Sequence, residues 1–212
     1  ISYGNTIKKQ EDIASAFRKG IRLFAFDCEE ELEKLFIEAP GAQVFCRVKV
    51  PDAGAAWPLS DKFGCSAEMA VKLLLQAKEN GLDPYGVSFH VGSQQTSSEQ
   101  AELAVDSVAK VFAELRHKGV NLKSLNLGGG FPTQYRNEIP EIETFAGSIA
   151  EALSHNFGGQ TPKIMLEPGR YIVAGAGLLR SEVVLVSRKS KDAQARWVYL
   201  DIGKFGGLME TT

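Results

Sequence analysis

Three short stretches of the sequence carry residue types that can bind or act on a small ligand: "FHVGSQ" (89–94), "NLGGGFP" (126–132) and "EPGRY" (167–171). The first contains His90, which can titrate near neutral pH, and Ser93 in a small turn. A lone histidine is more often a core residue bonded to the backbone, and serine is common in turns. A flexible turn with a hydroxyl also suits the rim of an anion or cofactor site, so both residues are candidates.

The second stretch places Gly128, Gly129 and Gly130 directly after an apolar run. One or two glycines would be enough for a tight turn, and each glycine costs backbone entropy on folding. The stretch lacks the G-x-G-x-x-G pattern of dinucleotide sites and the Lys-Ser/Thr pair of nucleotide phosphate loops. Successive N–H groups in a glycine turn can still form an anion-binding concavity. We therefore expect a phosphate contact here.

The third stretch puts Glu167 at the end of a strand-like run and Arg170 three residues later, across Pro-Gly. The two side chains could form a salt bridge around a turn, which is a common and weak surface feature. Alternatively, the carboxylate faces a basic ring nitrogen and the guanidinium binds phosphate, for which its planar fork of donors is well suited.

Strand-like runs alternate with helical patterns along most of the chain. They predict strands over residues 1–3, 22–26, 42–50, 86–91, 122–127 and 163–168, and helices over 12–19, 29–38, 66–80, 97–118 and 141–155. Such alternation implies parallel strands with helical crossovers. Without a dinucleotide pattern, the sequence predicts an α/β fold, a partial TIM-type (β/α)8 barrel of about six βα units that lacks its first members.

Polar residues or glycines follow nearly every predicted strand. In a barrel of parallel strands, the loops at the carboxyl ends converge on one mouth, which carries the active site. The positions that point to this mouth are Asn5, Asp27, Lys49, His90, Gly128–Gly130 and Glu167.

The helix over 97–118 has the clearest pattern of all the predicted elements. Thr96 and Glu99 predict a capping box at its start. An apolar stripe then recurs at spacings of three and four, and we expect it in the core: Val105, Val108, Phe112 and Leu115.

After Gly169 the pattern changes to strand-like runs with no helix between them: "YIVAGAG", "LRSEVVLVSRKS" and "ARWVYLDIGKFGG". A second, β-rich module is expected to begin near Val173. The predicted organisation is a barrel domain over residues 1–172 and the beginning of a C-terminal β-domain over residues 173–212.

The composition disfavours several classes of protein. The net charge is −2 with no concentrated basic face, which argues against a nucleic-acid partner. Three cysteines and three histidines lack the spacing of a metal site, and an odd cysteine count suits a reducing cytoplasm. No apolar run approaches the roughly 18–20 residues of a membrane span, and the first residues do not form a signal peptide. We expect a cytoplasmic protein without metal or membrane partner.

Read together, the three stretches resemble a known family, because their order and separations match it. They are similar to the barrel domain of the pyridoxal 5′-phosphate (PLP) decarboxylases that share the alanine-racemase fold, and the ornithine/lysine decarboxylases are closest. "PLSDKFGCS" (58–66) is a fourth match, and "YLDIGKFGGLMET" (199–211) resembles the opening of the family's C-terminal β-domain. The resemblance covers essentially the whole chain.

The resemblance implies a role for each candidate residue. His90 would stack on the face of the PLP ring, and Glu167 would bond the pyridine nitrogen. The phosphate would be held by Ser93, by N–H groups of the turn Gly128–Gly130 and by Arg170. A carboxylate beside the ring nitrogen favours its protonated form, which makes the ring a stronger electron sink. The implied reaction is decarboxylation of L-ornithine to putrescine, or of L-lysine to cadaverine, in polyamine biosynthesis.

Some features of the family are missing from the sequence. Many eukaryotic members have an arginine before the "KFG" motif; here the position is Pro58, so it receives no catalytic role. The Schiff-base lysine lies on the family's first barrel strand, in an A-V-K-x-N-like context that this sequence does not contain. We expect that lysine upstream of Ile1, and we interpret Lys49 as structural.

Other essential groups of the family come late in its C-terminal domain: a cysteine and an aspartate donated across a dimer interface, and a tyrosine on the phosphate. We therefore expect this chain to be an internal piece of a homodimeric enzyme, inactive by itself.

Two alternatives stay open. Meso-diaminopimelate decarboxylase, of lysine biosynthesis, shares the "H-x-G-S-Q" and "E-P-G-R" elements, although "GGGFP" and "DIGKFGG" favour the ornithine/lysine side. A non-catalytic regulatory homologue would fit the loss of the lysine, but a pure binding protein has no physical need for a PLP cradle.

Overall fold

The structure of the protein, a computed structural model, describes residues 1–57 and 62–208. Pro58 and the first residues of the "PLSDKFGCS" match therefore lie outside the described residues, as do residues 209–211 of the match to the C-terminal domain. The chain forms two compact units, Ile1–Ala174 and Gly175–Thr212.

Strands and helices alternate through the first unit. Its strands are β1 (Ser2–Tyr3), β2 (Leu23–Phe26), β3 (Gln43–Arg47), β4 (Ala55–Trp57), β5 (Asp83–Ser88), β6 (Ser93–Gln95), β7 (Ser124–Asn126) and β8 (Lys163–Met165). Its α-helices are α1 (Gln10–Arg18), α2 (Glu29–Glu38), α3 (Ala67–Glu79), α4 (Ser98–His117), α5 (Ile142–Phe157) and α6 (Gly169–Val173). A 3-10 turn at Ala174–Ala176 follows α6 and crosses the boundary between the two units in the chain.

Six of these strands form one parallel sheet in the order β1-β2-β3-β5-β7-β8. The register places Ala25 opposite Phe45 and Leu125 opposite Ile164. Strand order therefore follows chain order, and the long helices make the crossovers between neighbouring strands. The prediction of parallel strands in about six βα units is confirmed. The other two strands, β4 and β6, form a separate antiparallel pair that the sequence analysis did not predict.

Apolar side chains of the sheet and of the helices meet in one core. Its fully buried members include Phe24, Phe26, Leu32, Leu74, Leu115 and Leu125. Cys46 and Cys65 are free thiols in the same core, and their sulfur atoms lie 3.5 Å apart.

The predicted apolar stripe of α4 is buried, but the predicted capping box is wrong. The helix begins at Ser98, its N-cap residue Ser97 makes no side-chain cap, and the Thr96 hydroxyl donates instead to the Gly54 carbonyl at 3.4 Å. A contact to a loop distant in sequence has replaced the local one. In α3 the cap is local, because Ser66 Oγ accepts from the Met69 N–H at 3.2 Å.

The strand-like interpretation of "YIVAGAG" is also wrong, since α6 and the 3-10 turn cover most of it. Pro168 is the N-cap residue of α6, and a proline at a helix entry costs no hydrogen bond. Five residues are too few for helical periodicity to be read from the sequence.

The second unit contains an antiparallel pair, β9 (Val183–Ser187) and β10 (Trp197–Leu200), and a 3-10 turn at Lys204–Gly206. Among the helices described in residues 1–57 and 62–208, none combines the length and apolarity needed to cross a bilayer.

Candidate active site

The carboxyl ends of the parallel strands gather most of the candidate residues. Asp27 directly follows β2, Arg47 ends β3 and Asn126 ends β7. His90 and Glu167 each come two residues after their strands, β5 and β8. Because neighbouring parallel strands end at the same edge of a sheet, these side chains share one rim.

The turn Gly128–Gly130 packs backbone against backbone on the neighbouring strand ends. A Cβ at Gly128 would lie 2.2 Å from the Phe89 carbonyl oxygen. A Cβ at Gly129 would lie 2.5 Å from the Glu167 carbonyl oxygen and 3.3 Å from His90 Nε2. Gly128 and Gly130 also have φ values of +68° and +98°, which L side chains rarely adopt. The glycines therefore allow a close approach that any side chain would prevent.

Asn126 fixes the carboxylate of Glu167 to this turn. Its Nδ2 donates to Glu167 Oε1 at 3.0 Å, and its Oδ1 accepts the Gly128 N–H at 2.9 Å. The Glu167 N–H donates to the Gly128 carbonyl at 2.8 Å. The bond from the Gly128 N–H to Asn126 is buried, whereas Glu167 is exposed. The orientation of the carboxylate is thus set by the glycine turn.

His90 is a neutral, oriented ring beside the turn. Burial lowers its pKa, the positive charge of Arg47 lowers the pKa further, and the Glu167 carboxylate opposes both. The Gly92 N–H donates to His90 Nδ1 at 3.0 Å, so the neutral ring carries its proton on Nε2.

Arg47 completes a row of charges along the rim. Burial lowers its pKa, while the carboxylates of Asp27 and Glu167 raise it; a guanidinium so placed stays charged. Its guanidinium carbon lies 5.1 Å from the centre of the Phe63 ring. Asp27 is itself held, because its Oδ2 accepts the Gly64 N–H at 2.8 Å.

Ser93 and Arg170, far apart in sequence, meet directly. Arg170 Nε donates to Ser93 Oγ at 3.2 Å, and its Nη1 donates to the Tyr135 hydroxyl at 3.2 Å. The carboxylate of Glu167 instead pairs with Asn126. The two charged side chains of "EPGRY" therefore have different partners.

Lys8 fastens the loop after β1, which contains Asn5. Its Nζ donates to the carbonyls of Ala25 at 2.6 Å and Asn5 at 2.9 Å, and it pairs with Glu31 Oε1 at 2.8 Å. The Lys8 and Glu31 side chains are 0% and 1% exposed. Burial lowers the pKa of Lys8, and Glu31 opposes the shift. Lys34, partly exposed, pairs with the same carboxylate.

Three residues of this rim were not predicted: Arg47, Asn126 and Tyr135. The strand now seen as β3 was expected to run to residue 50, which made Lys49 its end residue. The strand β3 ends at Arg47, so the residue at its true carboxyl end is this arginine and not Lys49. Asn126 opens the stretch 126–132, in which only the glycines were predicted to be functional. Tyr135 follows the turn in an irregular loop and gave no signal.

The arrangement suits a ligand with an anionic group and a flat ring. The Ser93 hydroxyl, the Arg170 guanidinium and the turn Gly128–Gly130 together offer donors to an anion, and we call this group the anion cup. Within residues 1–57 and 62–208, the N–H groups of Gly129 and Gly130 donate to no protein acceptor. A carboxylate and a neutral imidazole lie on the other side of the turn. The described part of the chain contains no group of three side chains suited to hold a metal ion.

Comparison with known proteins agrees with this chemistry. Residues 1–174 match the sequence family described as pyridoxal-dependent decarboxylase, pyridoxal binding domain. The chain is 32% identical over 206 residues to lysine/ornithine decarboxylase of Selenomonas ruminantium, covering 96% of the chain and 51% of that protein. It is 36% identical over 185 residues to antizyme inhibitor 2 of Xenopus laevis, covering 87% and 40%.

A solved structure extends the likeness to the fold. The lysine/ornithine decarboxylase of Vibrio vulnificus, complexed with putrescine, is 32% identical with a TM-score of 0.82, over 98% of this chain and 55% of that one. The predicted partial barrel is thereby confirmed. The chain spans about half the length of the relatives it matches, and less in the case of the Xenopus protein.

Proposed function

Because this chain belongs to the pyridoxal-dependent decarboxylases, through their pyridoxal-binding domain, we propose that the whole protein decarboxylates a basic amino acid with PLP as cofactor. The proposed substrates are L-ornithine and L-lysine. The relatives named for lysine and ornithine decarboxylation support this choice. The observation that carries the proposal is the grouping of an anion cup, a carboxylate and a neutral imidazole around one glycine turn.

The anion cup is proposed to hold the phosphate of PLP. Ser93, Arg170 and the N–H groups of Gly129 and Gly130 would be its donors, and the Arg170–Ser93 bond at 3.2 Å supports their acting together. An arginine provides several donors in one plane, which fits phosphate oxygens better than a point charge does. The fit rests on bare backbone, because a Cβ at Gly129 would meet Glu167 and His90.

Glu167 is proposed to hold a proton on the ring nitrogen of PLP. When bound, PLP supplies an electron sink for the bond between Cα and the leaving carboxylate. A negative charge beside a basic nitrogen favours its protonated form, so Glu167 would strengthen that sink. Asn126 binds Oε1 of Glu167, and we assign Oε2 to the nitrogen. His90, neutral and fixed through Nδ1, would stack on the ring without adding charge.

The lysine that holds the cofactor covalently is proposed to lie outside these 212 residues. The Lys8 ammonium is enclosed by Glu31 and two backbone carbonyls. Lys49 lies two residues after β3 and is exposed. We expect PLP to form no specific imine with the 212-residue chain, so that borohydride reduction concentrates the label on no single lysine. Stoichiometric labelling of Lys8 or Lys49 would contradict this assignment. A homodimer in the cytoplasm remains our proposal for the whole protein.

Release of carbon dioxide by the whole protein tests the proposed reaction. L-Ornithine, L-lysine and meso-diaminopimelate are supplied separately with PLP, and we expect release from ornithine or lysine. Release confined to diaminopimelate would refute the proposed substrates. PLP binding with no release from any of the three would indicate a regulatory relative, a kind of function for which antizyme inhibitor 2 is named.

Two substitutions in the whole protein should distinguish the proposed role of Glu167 in turnover from the proposed role of Arg170 in PLP binding. Glu167→Ala should lower turnover on the order of 10²-fold, the usual effect of losing one electrostatic partner of the reacting charge, with little change in PLP affinity. Arg170→Ala should do the opposite and weaken PLP binding by about 10- to 100-fold, as for a charge-assisted hydrogen bond. Each variant is the control for the other. Weak PLP binding with normal turnover in Glu167→Ala would contradict the assignment.

A further inference from the structure

Gln94 has a backbone conformation that is unusual for its residue type. Its φ is +55°, and it is the one non-glycine residue of positive φ within residues 1–57 and 62–208. This region is disfavoured for an L residue because Cβ approaches the following carbonyl oxygen. Strained residues of this kind persist where the surrounding structure holds them, often at functional sites. The contacts of Gln94 show what holds it.

The Gln94 side chain binds the backbone of Thr133 in both directions. Its Nε2 donates to the Thr133 carbonyl at 2.7 Å, and its Oε1 accepts the Thr133 N–H at 2.8 Å. The primary amide thus imitates one rung of a β-ladder. Only a side chain with a donor and an acceptor on one carbon can make this pair.

Neighbouring contacts join the same two segments. The Gln95 N–H donates to the Gly130 carbonyl at 2.8 Å. A Cβ at Gly130 would lie 2.2 Å from the Gly92 carbonyl oxygen, so the segments touch through bare backbone. Gln95 is fully buried and bonds Val91 and Ala53, which anchors its own segment. Residues 92–95 and 130–133 therefore form one clamped pair.

The two bonded segments, residues 92–95 and 130–133, both contribute to the anion cup. Ser93, which accepts from Arg170, lies on one segment, and the glycine turn runs into the other. Gln94 lies directly beside Ser93, and its own amide is used by Thr133. Resting on the proposed function, we propose that Gln94 is a positioning residue that sets the spacing of the phosphate cup without touching the ligand.

Two substitutions of Gln94 break its pair of bonds to Thr133 in different ways. Gln94→Glu keeps an acceptor for the Thr133 N–H but places an oxygen against the Thr133 carbonyl, which drives the segments apart. Gln94→Gly removes both bonds but also relieves the strain of the positive φ, which offsets part of their loss, so we expect this variant to fold. The matched control is Gln160→Glu, an exposed glutamine outside the cup.

The test measures binding of PLP and of pyridoxal, which lacks the phosphate, to the whole protein and the three variants. Both Gln94 variants should bind PLP about 10- to 100-fold more weakly, the effect usual for removing a group that orients a ligand-binding residue. Binding of pyridoxal should stay within about twofold, and Gln160→Glu should match the parent for both ligands. A thermal unfolding measurement on each variant establishes that it is folded.

The outcomes separate the inference from the proposed function. If the parent binds PLP no better than pyridoxal, the proposed phosphate cup fails and the role of Gln94 fails with it. If the parent prefers PLP but the Gln94 variants keep that preference, only the positioning role is overturned. An equal loss for PLP and pyridoxal overturns it as well, since it would mean a general structural effect.

Discussion

His90 titrates among charged neighbours of opposite sign. Burial and Arg47 lower its pKa, and Glu167 acts against them. Between the lowered pKa and the ordinary value of 6.5, the unfolded chain binds more protons at this position than the folded protein does. The free energy of unfolding therefore rises with pH across this window, and the contribution is lost as the pH falls through it.

We expect this pH dependence to depend on His90 itself. In the whole protein without ligand, the difference in free energy of unfolding between the parent and His90→Gln should change below about pH 6.5, with the parent losing more stability on acidification. Urea unfolding between pH 5 and 8 measures it. His117→Gln, exposed at the end of α4, is the control. A difference that is flat with pH for His90→Gln would contradict the expectation.

Residues that stand in sequence patterns could be selected as candidates. His90, Ser93, Glu167 and Arg170 were selected because unusual residue types follow strands, and the structure puts them around one turn, while their roles are still predictions. The bonds between them, such as Arg170 to Ser93 across 77 positions, depend on tertiary packing and have no local signal. The same applies to the pair of Gln94 and Thr133, which only the folded chain brings together.

Replacing glycine by alanine should have opposite effects on stability in the glycine turn and in α5. Gly129→Ala would place a Cβ 2.5 Å from the Glu167 carbonyl oxygen, whereas Gly147 has nothing within 4 Å of such an atom and is exposed on the helix. Gly129→Ala should cost about 1–3 kcal/mol, as overpacking does. Gly147→Ala should stabilise by about 0.5–1 kcal/mol, because alanine is the better helix former.

Urea unfolding of these two alanine variants of the whole protein checks both signs. A neutral Gly129→Ala variant with unchanged PLP binding would mean that the turn has room to move, and the close packing on Glu167 would then be unimportant.

The buried pair Lys8–Glu31 ties the loop after β1 to β2 and α2. Removing one partner leaves the other as an uncompensated buried charge, so Glu31→Leu should cost about 3–5 kcal/mol. Lys8→Met in the same chain removes that charge, and the double variant should regain part of the loss. Lys34 needs no second change because its side chain is 25% exposed and can reach water.

The free energy of unfolding of the whole protein, measured for Glu31→Leu and for the double variant, decides this point. A double variant less stable than Glu31→Leu would show that the bonds from Lys8 to Ala25 and Asn5, and not the charge pair, hold the loop.

The ends of helices and strands were harder to predict than their buried faces, because the ends depend on contacts that are distant in sequence. The stripe of α4 predicted its buried face, since helical periodicity is a property of the segment alone. Its start was misplaced because Thr96 bonds Gly54 and not its own helix. The pair β4–β6 joins Ala55 to Gln95, and neither short segment has a strand pattern of its own.

At the scale of the molecule, the alternation of strands and helices was enough to predict a parallel sheet. Right-handed crossovers make such a sheet the usual result of repeated βα units. The order of the strands then followed, because each unit lies beside the preceding one. The division into a barrel domain and a β-domain near residue 173 is still a prediction.

The order β1-β2-β3-β5-β7-β8 also has a consequence for the time course of folding. Each strand adds to the edge formed by the one before it, so a chain emerging from the ribosome can extend the sheet without waiting for distant partners. The bond from Asn126 to Glu167 and the bond from Arg170 to Ser93 both require the segment around β8. We therefore expect the cup and its carboxylate to be completed only when the last strand of this sheet has been added.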